Sequence, residues 1–202
     1  MRIGIDIDDT LTDTYELTFN YAQDFTANEL KKEINHVDRE KIKEKFTKSF
    51  HNWSNQEEIA FFDRYYETII RNVKIKPFAK KIIDKLRKEG NEIYFITARY
   101  LSSKFDVEQA TKEWLQENEI EYEGIYLNVL DKAKLIKENN IDILIDDNIN
   151  NCLNAVENGI KTYIMDSLVN YSFKDDRIER IYSWPHLYQE INRYKKEIGG
   201  NK

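Results

Sequence analysis

The chain reads as an α/β protein: a mostly parallel sheet between layers of helices, with a small helical segment inserted after the first strand. Three observations lead there. An apolar run at the N-terminus, Ile3-Gly4-Ile5, stops in a cluster of carboxylates, Asp6-Ile7-Asp8-Asp9-Thr10. From residue 75 onward, short apolar runs alternate with helical periodicities, the pattern of βα units around a parallel sheet. Between the two, residues 14–72 contain neither proline nor glycine and carry apolar and aromatic residues at helical spacing.

The first strand should end where the carboxylates begin, because Asp is poor in a strand interior. It leaves them at the carboxyl edge of the sheet, where open α/β sheets bind ligands. Two carboxylates two residues apart suit a hard cation such as Mg²⁺, and one of them can attack phosphorus. Taken alone, the pentapeptide fits a plain helix cap made by Asp8 or Asp9 equally well. In the helical block that follows, Leu17, Tyr21 and Phe25, and then Ile59, Phe62, Tyr66 and Ile69, fall on single faces. Roughly 60 residues exceed the dozen or so that a crossover needs. The expectation is a cap, residues 14–75, inserted into a core made of residues 1–13 and 76–202.

Pro77 opens a helix through Leu86, which Gly90 ends, as proline in a first turn and glycine after a last turn commonly do. Residues 92–97 read as a strand, 110–118 as a helix, 124–127 as a short strand and 133–138 as a helix stopping near Asn139-Asn140. Residues 141–145 form a buried strand that runs into Asp146-Asp147. Residues 151–158 form a helix closed by Gly159, and 161–165 a further strand. The tail gives an edge strand at 180–183 and a last helix at 187–196.

With 41% apolar and 34% charged residues and two prolines, the 202-residue chain is globular in composition, so no long linker has to be placed. A net charge of −6 argues against a nucleic-acid polymer as partner, because that affinity comes from clustered Lys and Arg. A small anion can still be held locally. No apolar stretch approaches the roughly 20 residues that span a bilayer, and no charged-then-apolar leader opens the chain. A cytoplasmic protein without membrane contact is expected. The single cysteine, Cys152, has no intrachain partner and reads as a core thiol. His36, His51 and His186 have no metal-ligand spacing. The Lys- and Glu-rich stretch 41–48 reads as a solvated helix face.

Four strand ends or loop starts carry groups that one reaction would use together: Asp6 and Asp8; Thr97, closing Phe95-Ile96-Thr97-Ala98-Arg99; Lys132, in Asp131-Lys132-Ala133-Lys134 at a helix start; and Asp146-Asp147. Each alone has an ordinary explanation: a strand terminator, a surface cation behind an Asp131 cap, a cap for the helix near Asn150. All four in this order, each at a loop edge of a βα unit, point to chemistry.

In these motifs the chain resembles the haloacid dehalogenase-like phosphohydrolases, which carry Asp-x-Asp-x-Thr, a Ser or Thr after an apolar strand, a Lys and a terminal acidic pair. The compact cap, residues 75–99 and the tail Ile181-Tyr182-Ser183-Trp184 are similar to the 5′(3′)-deoxyribonucleotidases and their bacterial nucleotidase relatives. The chain departs from them at Ala98-Arg99 and throughout the cap.

The resemblance implies a Rossmann-like three-layer sandwich and hydrolysis of a small phosphomonoester, a nucleoside 5′-monophosphate, through an aspartyl-phosphate. Asp6 is then the nucleophile, and Asp8 the acid that protonates the leaving group and the base that activates water, with a carboxyl raised by its neighbours. One Mg²⁺ would be held by Asp6, the Asp8 backbone carbonyl and the acidic pair, with Asp147 bound directly and Asp146 beside or behind it. Thr97 and Lys132 would hold the phosphate, with Arg99 a further candidate. The cap is rich in aromatic residues that can stack on a base, and Phe46, Phe50 and Trp53 are the candidates for substrate contact. The competing readings are a sugar-phosphate phosphatase or a phosphomutase of the same superfamily, and a binding protein on this fold without turnover.

Overall fold

The computed structural model describes residues 1–34 and 52–199. Phe46, Phe50 and the stretch 41–48 lie outside the described residues. Six strands, β1 (Arg2–Ile5), β2 (Glu92–Ile96), β3 (Gly124–Tyr126), β4 (Ile143–Asp146), β5 (Lys161–Met165) and β6 (Glu179–Ile181), form one sheet in the order β3-β2-β1-β4-β5-β6. Every pair is parallel. In this order the connections leave β1 on one side and return at β4 on the other, which opens a crevice above the carboxyl ends of these two strands.

One face of the sheet, with Ile3, Ile5, Phe95, Ile143, Ile145 and Tyr163, packs against three helices: α3 (Ala79–Lys88), α4 (Val107–Glu117) and α7 (Trp184–Gly199). The other face, with Ile96 and Leu144, packs against α5 (Lys132–Glu138) and α6 (Ile149–Glu157). The three-layer α/β sandwich follows from this alternation: a strand buried on both faces sends consecutive apolar residues to opposite sides.

Between β1 and α3 lie α1 (Thr14–Asp24), a π-helical turn (Phe25–Glu29) and α2 (Asn55–Asn72). Ser54 starts α2 with a capping box shared with Glu57. Ala22, Phe25, Trp53, Phe61 and Ile69 give these helices an apolar cluster of their own. The two chain crossings pair with each other: Asp13 N–H donates to the Lys74 carbonyl at 3.0 Å and Lys76 N–H to the Leu11 carbonyl at 2.9 Å. Trp114 of α4 ties down the second crossing through an indole bond to the Val73 carbonyl at 2.9 Å.

Helix starts differ from the sequence expectation in several places, the last helix beginning at Trp184 rather than 187, and three of the shifts have a local cause in the cap. The helix expected at Pro77 begins at Ala79, because Phe78 takes a left-handed conformation (φ 67°) at its N-cap. The helix expected at Asn151 begins at Ile149, since the Asn148 side chain accepts the N–H groups of Asn150 and Asn151. The helix expected at residue 110 begins at Val107, capped by Asp106.

Gly4 sits mid-strand at the centre of the sheet. A β-carbon there would lie 2.9 Å from Ile96 Cδ1, 3.2 Å from Ile141 Cγ2 and 3.3 Å from the Ile143 carbonyl oxygen. Gly4→Ala should therefore destabilise by about 1–3 kcal/mol, the usual cost of overpacking. A denaturant midpoint that does not move would contradict this packing.

Candidate active site

The β1 backbone carries Asp6 onto the sheet edge, where its N–H donates to the Ile145 carbonyl at 2.9 Å. The chain then turns sharply. Leu11 and Thr12 N–H groups fold back on the Ile7 carbonyl, and Asp9 takes a left-handed φ of 61° that Asp tolerates better than most residues. β2 delivers Thr97, β4 delivers Asp146 and Asp147, and the first turn of α5 delivers Lys132. All four sequence motifs therefore meet at one end of the sheet.

Lys132 is buried and donates to both Asp6 Oδ1 and Asp146 Oδ2, the latter at 2.6 Å. Burial works against its charge, but the two carboxylates outweigh that and keep it protonated. Asp146 is fully engaged: beyond Lys132 it accepts the Asn148 N–H at 2.8 Å and the Asn151 amide at 3.0 Å. Asp147 is the opposite case. Among the described residues no group donates to its buried carboxylate, and burial, with the Asp9, Asp146 and Asp6 charges, holds its carboxyl well above the usual range. Asp6 is pushed up to about 7, chiefly by burial, against the pull of Lys132. Asp9 is also raised by burial, despite receiving the Tyr15 N–H.

Asp8 differs from expectation. Its carboxyl was expected to be raised, and it is lowered. Burial raises it, but the Arg99 guanidinium, donating through Nε at 2.9 Å and Nη2 at 2.8 Å, and the Thr14 hydroxyl at 2.8 Å outweigh the burial. A two-pronged guanidinium pair of this kind is among the stronger contacts available to a carboxylate. Arg99 is itself buried and reaches Thr111 of α4 with Nη1 at 3.1 Å.

Asp6, Asp8, Asp9, Asp146, Asp147 and Arg99 line a cleft of about 410 Å³, and Lys132, bonded to Asp6 and Asp146, is not part of its lining. Thr97, Arg99 and Asn151 line it near the carboxylates, and Phe62, Tyr66 and Tyr100 form an aromatic wall. The Tyr66 and Tyr100 rings stack 4.4 Å apart at 10°. Trp53 is not in this wall. It is 4% exposed, edge-on to Phe25, with its indole N–H on Thr26 Oγ1 at 3.0 Å. Sequence reasoning did not single out Tyr15, Tyr100, Asn148 or Asn151. Tyr100 had a signal, since it directly follows the Thr97-Ala98-Arg99 loop.

Six carboxylates (Asp6, Asp8, Asp9, Glu58, Asp146, Asp147) thus line the cleft against one lining cation, Arg99, with Lys132 bonded to Asp6 and Asp146. One oxygen each from Asp6, Asp146 and Asp147 lies within 4.8 Å of the others. A divalent cation fits this donor set: it is all oxygen, in negative excess, and it includes a carboxylate to which no described residue donates.

Residues 1–197 match the family model described as 5′ nucleotidase, deoxy (pyrimidine), cytosolic type C protein (NT5C). The chain is 28% identical over 194 residues to the nucleotidase CA_C3379 of Clostridium acetobutylicum, covering 96% of this chain and 94% of that protein. Among solved structures, it is similar to the haloacid dehalogenase-like family hydrolase SP0104 of Streptococcus pneumoniae. The TM-score is 0.68 at 18% identity, with 96% of this chain and 97% of that one covered. A predicted phosphatase of Clostridium acetobutylicum gives a TM-score of 0.70 at 13% identity, with 95% and 98% covered. No described helix is long and apolar enough to cross a membrane.

The raised Asp6 has a consequence for stability. Without divalent cations the folded chain keeps the Asp6 proton up to about pH 7, whereas the unfolded chain loses it near 4. The fold binds more protons across that window, so this contribution is full below pH 4 and is lost as pH rises through 7. Thermal melts in chelator should show a Tm that falls over this range, with a shallower slope in Asp6→Asn. An identical slope in the variant would contradict the assignment.

Proposed function

The chain belongs to the cytosolic type C 5′-nucleotidase family of haloacid dehalogenase-like hydrolases, and from that footing we propose that it is a Mg²⁺-dependent phosphatase. Its proposed substrate is a nucleoside 5′-monophosphate, hydrolysed through an aspartyl-phosphate on Asp6. The observation that carries this reading is the pairing of Lys132 with Asp6 and Asp146 beside the undonated Asp147 carboxylate. A helix cap needs no buried lysine between two carboxylates, and a binding module needs no paired nucleophile and acid.

Asp6 and Asp147 are the proposed direct metal ligands, together with the Asp8 backbone carbonyl. Asp146, its oxygens already taken by Lys132, Asn148 and Asn151, stands behind them. Mg²⁺ held there would supply positive charge that favours the ionised form of Asp6 and would offset charge on phosphoryl oxygens. Lys132 and the Thr97 hydroxyl, fixed before substrate arrives, stabilise charge on the phosphoryl group as it transfers.

In the first step an Asp6 oxygen forms a bond to phosphorus as the bond to the leaving oxygen breaks, and Asp8 gives that oxygen a proton. In the second, Asp8 takes a proton from water, the water oxygen bonds to phosphorus, and the bond between phosphorus and the Asp6 oxygen breaks to release phosphate. The Arg99 pair keeps Asp8 ionised at rest, the form needed for the second step. A phosphate carrying about two negative charges competes for the guanidinium, and Asp8 freed from it can take up the proton for the first.

Residues 14–75 act as the cap in this reading, and the aromatic wall of Phe62, Tyr66 and Tyr100 receives the leaving group. The wall replaces Trp53 as the candidate base contact, since Trp53 is committed to the interior of the insert.

Phosphate release from a panel of nucleoside, sugar and simple alkyl monophosphates tests the reading. Chelator should abolish turnover and Mg²⁺ restore it, while Ca²⁺ restores little because it relaxes the octahedral geometry. Turnover undiminished by chelator would defeat the mechanism. Tyr100→Ala and Phe62→Ala should each weaken nucleotide turnover by about 1–3 kcal/mol, the worth of one base–aromatic stack. Glycerol 2-phosphate, which has no ring to stack, should be nearly unaffected. Equal losses on both substrates would reduce the wall to packing.

A further inference from the structure

Asn170 lies on the connection between β5 and β6, outside the cleft lining and 23 residues from the acidic pair. It is wholly buried. Its amide nitrogen donates to the Asp147 main-chain carbonyl at 2.7 Å and to the Met165 carbonyl at 2.8 Å. Its amide oxygen accepts the Ser167 N–H at 3.1 Å and Arg180 Nη1 at 2.7 Å. Both donors and both lone pairs are therefore used, and only one orientation of the amide satisfies them.

Arg180 anchors the same connection. It also donates through Nη1 to Asp166 at 2.6 Å, and through Nη2 to the Asn170 carbonyl at 2.8 Å and the Phe173 carbonyl at 2.6 Å. The result is a buttress whose amide bridges two strand ends, donating to Met165 at the end of β5 and to the peptide of Asp147 just past β4. Asp147 is the site carboxylate whose own side chain receives no donor among the described residues. The contact from Asn170 holds the Asp147 peptide, the base from which its side chain projects.

We propose that Asn170, held by Arg180, is a positioning residue that orients Asp147 toward a divalent cation and so sets the affinity of the site for Mg²⁺. This rests on the metal reading given above. Partners that orient a ligand typically change metal affinity by about 10–100-fold when removed. An aspartate in this place keeps the shape but turns an acceptor toward two carbonyl oxygens.

The test is Mg²⁺ binding to the full chain without substrate, by titration calorimetry, alongside the Tm of the metal-free protein. Asn170→Asp and Asn170→Ala should weaken Mg²⁺ binding about 10–100-fold. Phosphatase activity should return toward wild type as Mg²⁺ is raised, which a loss of catalytic geometry would not allow. Arg180→Lys, which keeps the charge but loses the fork, should shift affinity the same way by less. Folded Asn170 variants with unchanged Mg²⁺ affinity and a lower Tm would overturn the proposal and leave Asn170 a loop staple. If the Asn170 variants do not fold, unchanged affinity in Arg180→Lys overturns it alone. A wild-type chain that takes up no Mg²⁺, with Asp147→Asn making no difference, would instead overturn the metal reading itself.

Discussion

Lys132, buried at the start of α5 with its ammonium on Asp6 and Asp146, stays charged away from water only while both partners are held where they are. Stripping one partner from such a group typically costs about 3–5 kcal/mol, a large part of a domain's stability of about 5–15 kcal/mol. The surrounding structure answers that demand. Asp6 is fixed by the central strand, Asp146 by the neighbouring strand and the first turn of α6, and Lys132 by a helix capped by Asp131. The strand order makes this possible, because placing β4 beside β1 sets two carboxylates from distant parts of the chain within reach of one cation.

The same concentration of charge is what suits the site to phosphoryl transfer, a reaction that asks mainly for positioning and electrostatic stabilisation. Excess carboxylate is a liability for a phosphate dianion unless a metal is present. The distribution of hydrogen bonds among the carboxylates sorts their proposed roles. Asp146 receives three donors, Asp8 is tied to Arg99, and Asp147 receives none among the described residues. Asp6 is in contact with the lysine yet raised by burial, so a cation would determine whether it attacks.

The floor of the site was legible in the sequence, because strands that end in Asp or Thr leave those residues at the sheet edge whatever the details of packing. Asp6, Thr97, Lys132 and Asp146-Asp147 needed only the βα alternation to be brought together. What could not be read depends on contacts between distant residues. The Arg99–Asp8 pair joins residues 91 apart and exists because β2 lies next to β1, so the lowering of Asp8 was invisible to local reasoning. Helical spacing marked the insert's aromatics as one set without saying which face looks into the cleft. Trp53 turned inward onto Phe25, while Phe62 and Tyr66 looked out. Asn170 carried no signal at all, since asparagine is among the residues that dominate turns.

The central claim is that Asp6 is the atom donor to phosphorus, and the measurement that tests it most directly is the initial rate of phosphate release by Asp6→Asn. It should be taken with a nucleoside 5′-monophosphate at saturating Mg²⁺, on protein whose circular dichroism matches the wild type. The amide keeps the shape of the side chain but cannot attack phosphorus. The account predicts a rate indistinguishable from background, with the wild type turning over under the same conditions. Phosphate release by Asp6→Asn at the wild-type rate would contradict it.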